Sequence, residues 1–375
     1  MRRIVFFSIA LLLSSCIQNP EQNKPKCKIV SSYIPQFAKG FKIDYYKGFK
    51  VLSVLQNDSA TCQYVQFPLN KKRPIGFENA IALSDSIYSI INLSTSQTAA
   101  FDALNNLDIV KGVANKNLIY STLLKEEVYN GTIADIGFDY QPDLEKILRL
   151  KPQLMFSDGE YATQNANFDK LKAAGIDIVY SQDYREKYPL ARAEWLVFYS
   201  FFINQEQQAI QFLDSVFTRY QEVKSEISKK STKHTVFCNY PYNEIWYMPA
   251  KSNYVTNLLA DAGLHFFWAD VSPNNGLNLS LSFEEVLRKA IDADHWLLFS
   301  SEKSKSELLL KDSRLSNFNA YKTGNVYSSS LRSTNQGAND YWESGVYRPD
   351  IVLQDFHKLF YLNDTTNLVY FNKLK

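Results

Sequence analysis

The sequence predicts an α/β protein with two Rossmann-like lobes of mostly parallel sheets, joined by one long rigid helix, plus an N-terminal β hairpin. Three observations lead to this fold class. The middle of the chain, 204–228, keeps helical periodicity over about six turns. On both sides of it, short apolar strands alternate with amphipathic helices, as in parallel sheets covered on both faces. Residues 38–72 instead alternate apolar and polar side chains, which is typical of a β hairpin or meander.

The central helix is predicted from the spacing of its apolar residues, which recur at i, i+3, i+4 and i+7. These residues are Ala209, Phe212, Leu213, Val216, Phe217, Tyr220, Val223 and Ile227. Asn204 is a suitable N-cap, and Gln207 can complete a capping box. A helix of this length extends about 37 Å, which is enough to act as a stiff strut between two lobes. The alternative is an ordinary long helix inside one large domain.

The boundaries of the remaining segments are predicted from local composition and from the positions of turn-forming residues. We expect a signal peptide at 1–15, a tether at 16–28, a β hairpin or meander at 29–75 packed on lobe 1, lobe 1 at 76–188, a helical segment at 189–230 including the linker helix 204–228, and lobe 2 at 231–375. Ala80–Leu83 is the first strand expected in lobe 1. The segment 189–202 is apolar almost all round, which predicts a buried helix leading into the strut.

The N-terminal end resembles an export signal. Arg2 and Arg3 precede an apolar run over 4–13, which is too short to be a permanent membrane anchor. The following Leu13-Ser14-Ser15-Cys16 fits a bacterial lipoprotein processing site, so Cys16 is the predicted lipidated residue. The alternative is a plain signal peptide that happens to carry a cysteine. We therefore expect a protein of the cell envelope, anchored in a bacterial membrane through lipid only and facing the periplasm.

Composition limits the classes of partner. The formal net charge is only +2, from 41 basic and 39 acidic residues, which argues against nucleic-acid binding. Aromatic residues reach 14% of the chain, with 24 Tyr and 25 Phe. Most of them must pack in a core, but this number leaves rings for a recognition surface.

Cysteines and histidines give few signs of a metal or redox site. Cys27 and Cys62 can pair in an oxidising compartment, whereas Cys238 lies in an apolar run and is expected to be a buried thiol. There is no C-x-x-C, and the four histidines are not spaced as a ligand cluster. We predict no resident metal and no cofactor, although a lone His or Tyr leaves haem-iron ligation open.

Each lobe carries a helix-then-strand unit with an acid in the first helical turn. Glu145 occupies this position in the first lobe and Glu284 in the second. Taken singly, such acids merely suit the helix dipole. As a matched pair on either side of a strut, they suggest one docking point per lobe.

These features together resemble a known family. The resemblance rests on Val110-Lys111-Gly112-Val113, Pro142-Asp143-Leu144-Glu145-Lys146-Ile147-Leu148, Leu171-Lys172-Ala173-Ala174-Gly175-Ile176, Ser282-Phe283-Glu284-Glu285-Val286-Leu287 and Pro349-Asp350-Ile351-Val352-Leu353. Residues 80–362 look like the ABC-importer substrate-binding proteins that serve iron–siderophore, haem and cobalamin uptake. The stretch 38–72 falls outside the common pattern, and Gln153 replaces the family's usual acid.

The resemblance implies a monomeric receptor that holds a ligand between its lobes and delivers it to an ABC permease dimer. In such proteins one surface glutamate per lobe pairs with permease arginines, and by position these are Glu145 and Glu284, with Glu285 a weaker substitute. Two carboxylates at fixed separation would set register and orientation on a two-fold transporter.

The ligand cleft is expected near the strand ends, where loops converge. The candidate side chains are Tyr161, Tyr240, Tyr242, Trp246, Phe267, Trp268, Tyr341 and Trp342, with Arg332 for an anionic group. Each ring alone is more often a core residue, and Arg332 can equally be a solvated loop residue. Flat aromatic walls suit a macrocycle or metal chelate, so the expected cargo is a ferric siderophore, haem or corrinoid.

Two other classes of function stay open from the sequence. No Gly-x-Ser-x-Gly, H-E-x-x-H, P-loop or Gly-x-Gly-x-x-Gly motif occurs, so we predict that the protein is not an enzyme. A carbohydrate- or small-molecule-acting enzyme is the first alternative, since carboxylate pairs for glycoside cleavage have no sequence signature. A stand-alone lipid-anchored scavenger or adhesin is the second.

Overall fold

The computed structural model describes residues 27–158, 166–231, 233–274 and 276–375. The predicted lipidation site Cys16 and the predicted cleft residue Tyr161 lie outside these residues. Within the described ranges, no helix is both long enough and apolar enough to cross a bilayer.

A five-stranded sheet opens the described chain. Its strands are β1 Ile29–Tyr33, β2 Phe41–Tyr46, β3 Phe49–Gln56, β4 Ser59–Phe67 and β5 Ile81–Ser84, in that spatial order. Neighbours are antiparallel except β4 and β5, which run parallel. The strand predicted to begin lobe 1 therefore completes this N-terminal sheet instead. Because β5 runs parallel to β4, the chain must cross back to the other end of the sheet between them. The local sequence pattern does not reveal such a crossover.

The first parallel sheet forms the core of lobe 1. Its strands are β6 Ile90–Asn92, β7 Val110–Val113, β8 Ala134–Asp135, β11 Leu154–Asp158 and β12 Asp177–Ser181, in the order β12-β11-β6-β7-β8. A two-stranded ribbon pairs β9 Gly137–Phe138 with β10 Gln141–Pro142. The helices are α1 Thr95–Ala103, α2 Thr122–Tyr129, α3 Leu144–Leu150 and α4 Ala166–Ala173. Phe156 packs in one hydrophobic cluster and Met155 in another, so both faces of the sheet are covered.

Two consecutive helices follow, α5 Pro189–Phe201 and α6 Glu206–Ser228. Helix α6 has 23 residues and is about 35 Å long. Ala209 and Leu213, near its start, pack in the core of lobe 1, whereas Tyr220 and Ile227 pack in the core of lobe 2. The helix therefore spans both hydrophobic cores, which is the arrangement that the apolar spacing predicted.

The predicted cap of this helix is wrong. The helix begins at Glu206, two residues after Asn204, and Gln205 occupies the N-cap without a side-chain capping bond. Asn204 instead has a positive φ of 57° in the turn that separates α5 from α6, and its amide donates to the carbonyl of Asp85 at 2.8 Å. Asparagine tolerates this left-handed conformation better than most residues, so it ends one helix rather than starting the next.

Lobe 2 repeats the parallel arrangement. Its main sheet contains β13 Thr235–Cys238, β15 His265–Phe266, β17 His295–Leu298, β18 Val326–Ser328 and β19 Asn372–Lys373, in the order β15-β13-β17-β18-β19. Only β19 is antiparallel to its neighbour. An antiparallel pair joins β14 Trp246–Pro249 to β16 Asn278–Leu281. The helices are α7 Tyr254–Asp261, α8 Phe283–Ala290, α9 Lys305–Lys311, α10 Asn319–Lys322 and α11 Pro349–His357. The predicted α/β class with two lobes and a joining helix is confirmed.

Two buried glutamates of the 186–194 region fasten the N-terminal sheet to lobe 1. Glu194 accepts hydrogen bonds from the backbone N–H groups of residues 36, 37 and 38 at 2.7–2.8 Å, and Glu186 accepts from Lys39 and Gly40. Successive N–H groups turned toward one carboxylate satisfy its charge without a cation. Gly40 lies so close to Trp195 that an added Cβ would clash with the indole ring. Side-chain bulk is therefore excluded at this junction.

Candidate ligand cleft

A cleft of about 520 Å³ lies where the carboxyl ends of the lobe 2 strands meet α5 and the end of β12. This volume is within the range of small-molecule and cofactor sites. Six aromatic residues of lobe 2 line it, together with Tyr184 from the lobe 1 side and Arg192 of α5. The six are Tyr240, Tyr242, Tyr247, Tyr254, Phe299 and Trp342. We call these six residues the aromatic wall.

The order of strands in lobe 2 brings the aromatic wall together. Tyr240 follows β13 and Phe299 follows β17, and these two strands are parallel neighbours. Asn239 fixes the connection: its backbone N–H donates to the carbonyl of Leu297 at 2.8 Å, and its side-chain amide donates to the carbonyl of Tyr247 at 3.2 Å. Residues that end adjacent strands thus present their rings on the same edge of the sheet.

Tyr240 is held in place from behind. Its hydroxyl donates to Glu302 Oε1 at 2.7 Å, and the same oxygen is 3.2 Å from Lys311 Nζ. Burial and the hydrogen bond to the Glu302 carboxylate raise the pKa of Tyr240 to about 12. The ring is half-buried, so one part of it is fixed while another part faces the cleft. This is a preorganised contact surface rather than a mobile side chain.

Three of the predicted cleft rings lie in the core instead. Trp246 is fully buried, and its indole N–H donates to the carbonyl of Cys238 at 2.8 Å. Trp268 is buried beside Phe266 and under Lys289. Tyr341 is buried, with its hydroxyl 2.8 Å from that of Tyr254.

Position within the chain explains two of these errors. Successive residues of a strand face opposite sides, so Trp246 faces the core of lobe 2 and Tyr247 faces the cleft. A similar division separates Tyr341, which is buried, from Trp342, which lines the cleft. In each pair the sequence marks an aromatic site but does not say which neighbour is inside.

The other predicted rings are divided between the cleft and the core of lobe 2. Tyr240, Tyr242 and Trp342 line the cleft, and Tyr242 is 67% exposed. Phe267 packs beside the lobe 2 core and does not line the cleft. Sequence reasoning missed Tyr184, Tyr247, Tyr254 and Phe299. Tyr184 lies three residues after the end of β12 and Phe299 directly follows β17, so closeness to the end of a strand is a signal that could have found them.

Arg332 lies away from the aromatic wall. Its guanidinium is 2.8 Å from Asp340 and rests over the ring of Tyr120. It lines a separate cavity of about 460 Å³ between α1, the start of α2, α6 and residues 332–348. Arg332 therefore lies outside the 520 Å³ cleft, and its role at an anionic ligand group stays a prediction.

The lobe 1 side of the cleft carries two acidic side chains near Tyr184, the buried Asp183 and the half-buried Asp158. Asp158, at the end of β11, accepts hydrogen bonds from Gln97 at 3.0 Å and Ser181 at 3.2 Å. Burial and, secondarily, the nearby Asp183 carboxylate raise the pKa of Asp158 to about 7. Arg192 bonds to Asp183 through Nε at 3.2 Å and also lies over the ring of Tyr254. Arg192 thus links the acidic side of the cleft to the aromatic wall.

The two predicted docking glutamates lie on the surface of different lobes. Glu145 is exposed in the first turn of α3, whose N-cap Asp143 accepts from the N–H of Lys146 at 3.0 Å. The side chain of Glu284 is 77% exposed in the first turn of α8, 3.7 Å from Arg314. The adjacent Glu285 is committed to a capping box with Ser282. Glu285 is therefore the structural acid of α8, and Glu284 is available.

Cys27 and Cys62 do not form the predicted disulfide, and both are free thiols. Two strands separate β1 from β4, which corresponds to about 14 Å across the sheet. Cys27 also packs in the cluster around Phe77, whereas Cys62 packs in the cluster on the opposite face. Among the described residues, no group of three or more His, Cys, Asp or Glu side chains is placed to hold a metal ion.

Comparisons with known proteins agree with this architecture. The family model described as periplasmic binding protein matches residues 90–330. The chain belongs to the periplasmic binding protein family. It is 24% identical over 388 residues to an uncharacterized lipoprotein of Methanocaldococcus jannaschii, covering 94% of this chain and 90% of that one.

Two solved structures are similar in fold. A periplasmic binding protein from Veillonella parvula has a TM-score of 0.60 at 13% identity, covering 84% of this chain and 98% of that one. A periplasmic heme binding protein from Pseudomonas aeruginosa has a TM-score of 0.58 at 13% identity, covering 77% and 99%. At such identity the likeness establishes the fold alone. Family and fold make this chain a solute-binding receptor of the extracytoplasmic type.

Proposed function

We propose that this protein is a lipid-anchored receptor that binds a metal chelate between its lobes and delivers it to an ABC import permease. The chelate is a haem, a ferric siderophore or a corrinoid. The observation that carries the proposal is the aromatic wall: six rings on one side of a 520 Å³ cleft. Flat, largely apolar surfaces of this kind suit a macrocycle or chelate that is bound mainly by area.

The polar groups of the cleft can orient the ligand. Asn239, Asn253, Asn278 and Ser300 line the cleft beside the rings, and Arg192 provides one cation. Since Arg192 is already paired with Asp183, it can attract a carboxylate of the ligand without being an isolated buried charge. The similar fold of a heme binding protein supports haem as the first candidate to test.

The ligand is tested by titrating purified protein with hemin, a ferric hydroxamate and cyanocobalamin. Three of the five tryptophans, Trp246, Trp296 and Trp342, lie in lobe 2 within or near the aromatic wall, so binding should quench intrinsic fluorescence. A saturable spectral change with unaltered ligand mass is expected for one of the three. Conversion of the ligand to a product would instead favour an enzyme, and no saturable binding by any of the three would contradict the chelate class.

Docking to the permease is proposed for Glu145 and Glu284. Both carboxylates are exposed on separate lobes, at positions where a rigid strut would keep their separation fixed. The double variant Glu145→Arg/Glu284→Arg should lose uptake of the chelate in cells while keeping its affinity in solution. The reason is that an arginine facing a permease arginine is repelled, whereas the cleft is untouched.

A matched control reverses two other exposed glutamates, Glu126 on α2 and Glu222 on α6. This control should leave uptake near the wild-type level. Normal uptake by the Glu145→Arg/Glu284→Arg variant would exclude the docking assignment and favour a stand-alone scavenger. Lipid anchoring is tested separately by Cys16→Ala, which should release the protein from the membrane fraction.

A further inference from the structure

One end of the N-terminal sheet collects exposed basic and apolar side chains. Strand register places the start of β1, the β2–β3 turn and the exit of β4 together, because Ile29 pairs with Tyr46, Tyr46 with Phe49, and Lys50 with Gln66. Lys28 precedes β1, and Lys47 lies in the β2–β3 turn. The chain leaves β4 at Phe67 and forms the loop 68–76. We call Lys28, Lys47 and residues 69–75 the basic rim.

The loop of the basic rim is fixed close to the other two segments. Phe77, directly after the loop, contacts the rings of Tyr46 and Phe49 at 5.5 and 5.6 Å. Cys27 packs against the same cluster. Arg73 donates hydrogen bonds to the carbonyls of Phe77 and Ala80, which holds the loop against the sheet. The three segments therefore form one surface around a common aromatic cluster.

The side chains of this surface are unusual for a solvated loop. Leu69 is 80% exposed and Ile75 is 63% exposed, with Lys71 and Lys72 exposed between them. Lys28 and Lys47 are exposed as well, whereas Glu78 and Asp85 are the nearby exposed acids. Four lysines beside two protruding aliphatic side chains match the chemistry of a bilayer interface, where acyl groups accept the aliphatic chains and anionic headgroups accept the lysines.

We propose that the basic rim rests on the anionic membrane surface to which the chain is tethered. The inference rests on the lipid anchoring of the proposed function for its location. Cys16 lies twelve residues before Lys28, so the rim is within about 40 Å of the anchor. A tether this short keeps the rim at high effective concentration near headgroups, so weak contacts suffice to orient the receptor.

The test uses the mature chain without its anchor cysteine, residues 17–375, which contains every residue that the structure describes. Co-sedimentation compares vesicles of phosphatidylcholine with vesicles containing 30% phosphatidylglycerol. We expect binding to the anionic vesicles to exceed binding to neutral ones at least tenfold, and to fall at least tenfold between 0.1 and 0.5 M salt. Equal binding to both, or no binding to either, would overturn the proposal.

Two variants locate the surface. Reversal of Lys28, Lys47, Lys71 and Lys72 to Glu should abolish the anionic preference, and Leu69→Ser/Ile75→Ser should weaken binding severalfold without removing the preference. The matched control reverses Lys229, Lys230, Lys233 and Lys251, which are exposed elsewhere. If the control loses binding as the rim variant does, net charge rather than the rim is responsible and the proposal fails.

Light scattering of the same samples tests whether a second copy of the chain, rather than a membrane, covers the basic rim. A dimer of the wild-type chain that the rim reversal dissociates would assign the rim to a second copy and overturn the membrane assignment. Since these vesicles need neither Cys16 nor the chelate, failure here leaves the receptor function intact. Failure of chelate binding or of lipidation likewise leaves the vesicle result interpretable.

Discussion

The two sides of the cleft differ in chemistry although both lobes are built on parallel sheets. Lobe 2 presents the aromatic wall, whereas the described part of lobe 1 presents Tyr184, with the buried Asp183 next to it in the chain and the half-buried Asp158 nearby. Rings provide contact area with little loss of conformational entropy, and the raised pKa of Asp158 makes the charge of that carboxyl group depend on pH. From this contrast we propose that lobe 2 supplies most of the affinity, while lobe 1 adjusts stability and electrostatics.

The largest effect is expected from removing two rings of the aromatic wall. Tyr240→Ala/Trp342→Ala deletes side chains from two separate loops that both face the cleft. Each deletion should weaken hemin binding about tenfold, since truncating a well-packed aromatic anchor commonly costs more than 1 kcal/mol. The double variant should then bind about 100-fold more weakly in a fluorescence titration.

Tyr88→Ala is the matched control for this variant. Tyr88 is 66% exposed beside the amino end of β6, at the opposite end of the strands from the cleft. It should keep wild-type affinity, and thermal unfolding should show that all variants are folded. A folded double variant with unchanged affinity would remove the aromatic wall from the binding site.

The central helix and the cleft differ in how well they can be predicted from the sequence. The spacing of apolar residues identified α6 because a helix that touches two cores needs a continuous buried stripe, and Ala209 through Ile227 supply it. The predicted residues Trp246 and Tyr341 each stand beside a residue that lines the cleft, Tyr247 and Trp342. Which member of each pair faces the ligand depends on strand register and loop conformation, and these are fixed by tertiary pairing.

Other errors arise from long-range contacts. The pairing of β5 with β4 joins residues that an intervening loop separates, so no local pattern assigns β5 to the N-terminal sheet. Cys27 and Cys62 are 35 residues apart in the chain, and the intervening strands place them on opposite faces of the sheet. Asp158 and Asp183 come together only because β11 and β12 are neighbours. Their sequence neighbourhoods carry no sign of an interacting pair.

A smaller effect is expected from Asp158→Asn, and it should depend on pH. Unfolded aspartate titrates near 3.9, whereas burial raises the pKa of Asp158 to about 7 in the native protein. Between these values the native state holds a proton that the unfolded state has lost, so this group lowers stability as pH rises from about 4 to 7. The variant should therefore gain stability relative to wild type as pH rises across that window, and the gain should level off above pH 7.

Chemical denaturation at several pH values measures this difference. Asp58→Asn, in the exposed β3–β4 turn, is the control and should show no such dependence. A difference for Asp158→Asn that is constant from pH 4 to pH 8 would mean that the carboxyl group is not protonated in the native cleft. The electrostatic role assigned to the lobe 1 side would then be wrong.

The smallest effect is expected from Tyr240→Phe, which keeps the ring and removes the hydroxyl. Glu302 loses the hydrogen bond from Tyr240 but keeps Lys311 at 3.2 Å, so stability should fall by only about 1 kcal/mol. Hemin affinity should stay within about threefold of wild type, because the ring supplies the contact area. If Tyr240→Phe instead loses affinity as Tyr240→Ala does, the phenol oxygen rather than the ring contacts the ligand, and direct ligation of iron by tyrosine would replace stacking as the role of this residue.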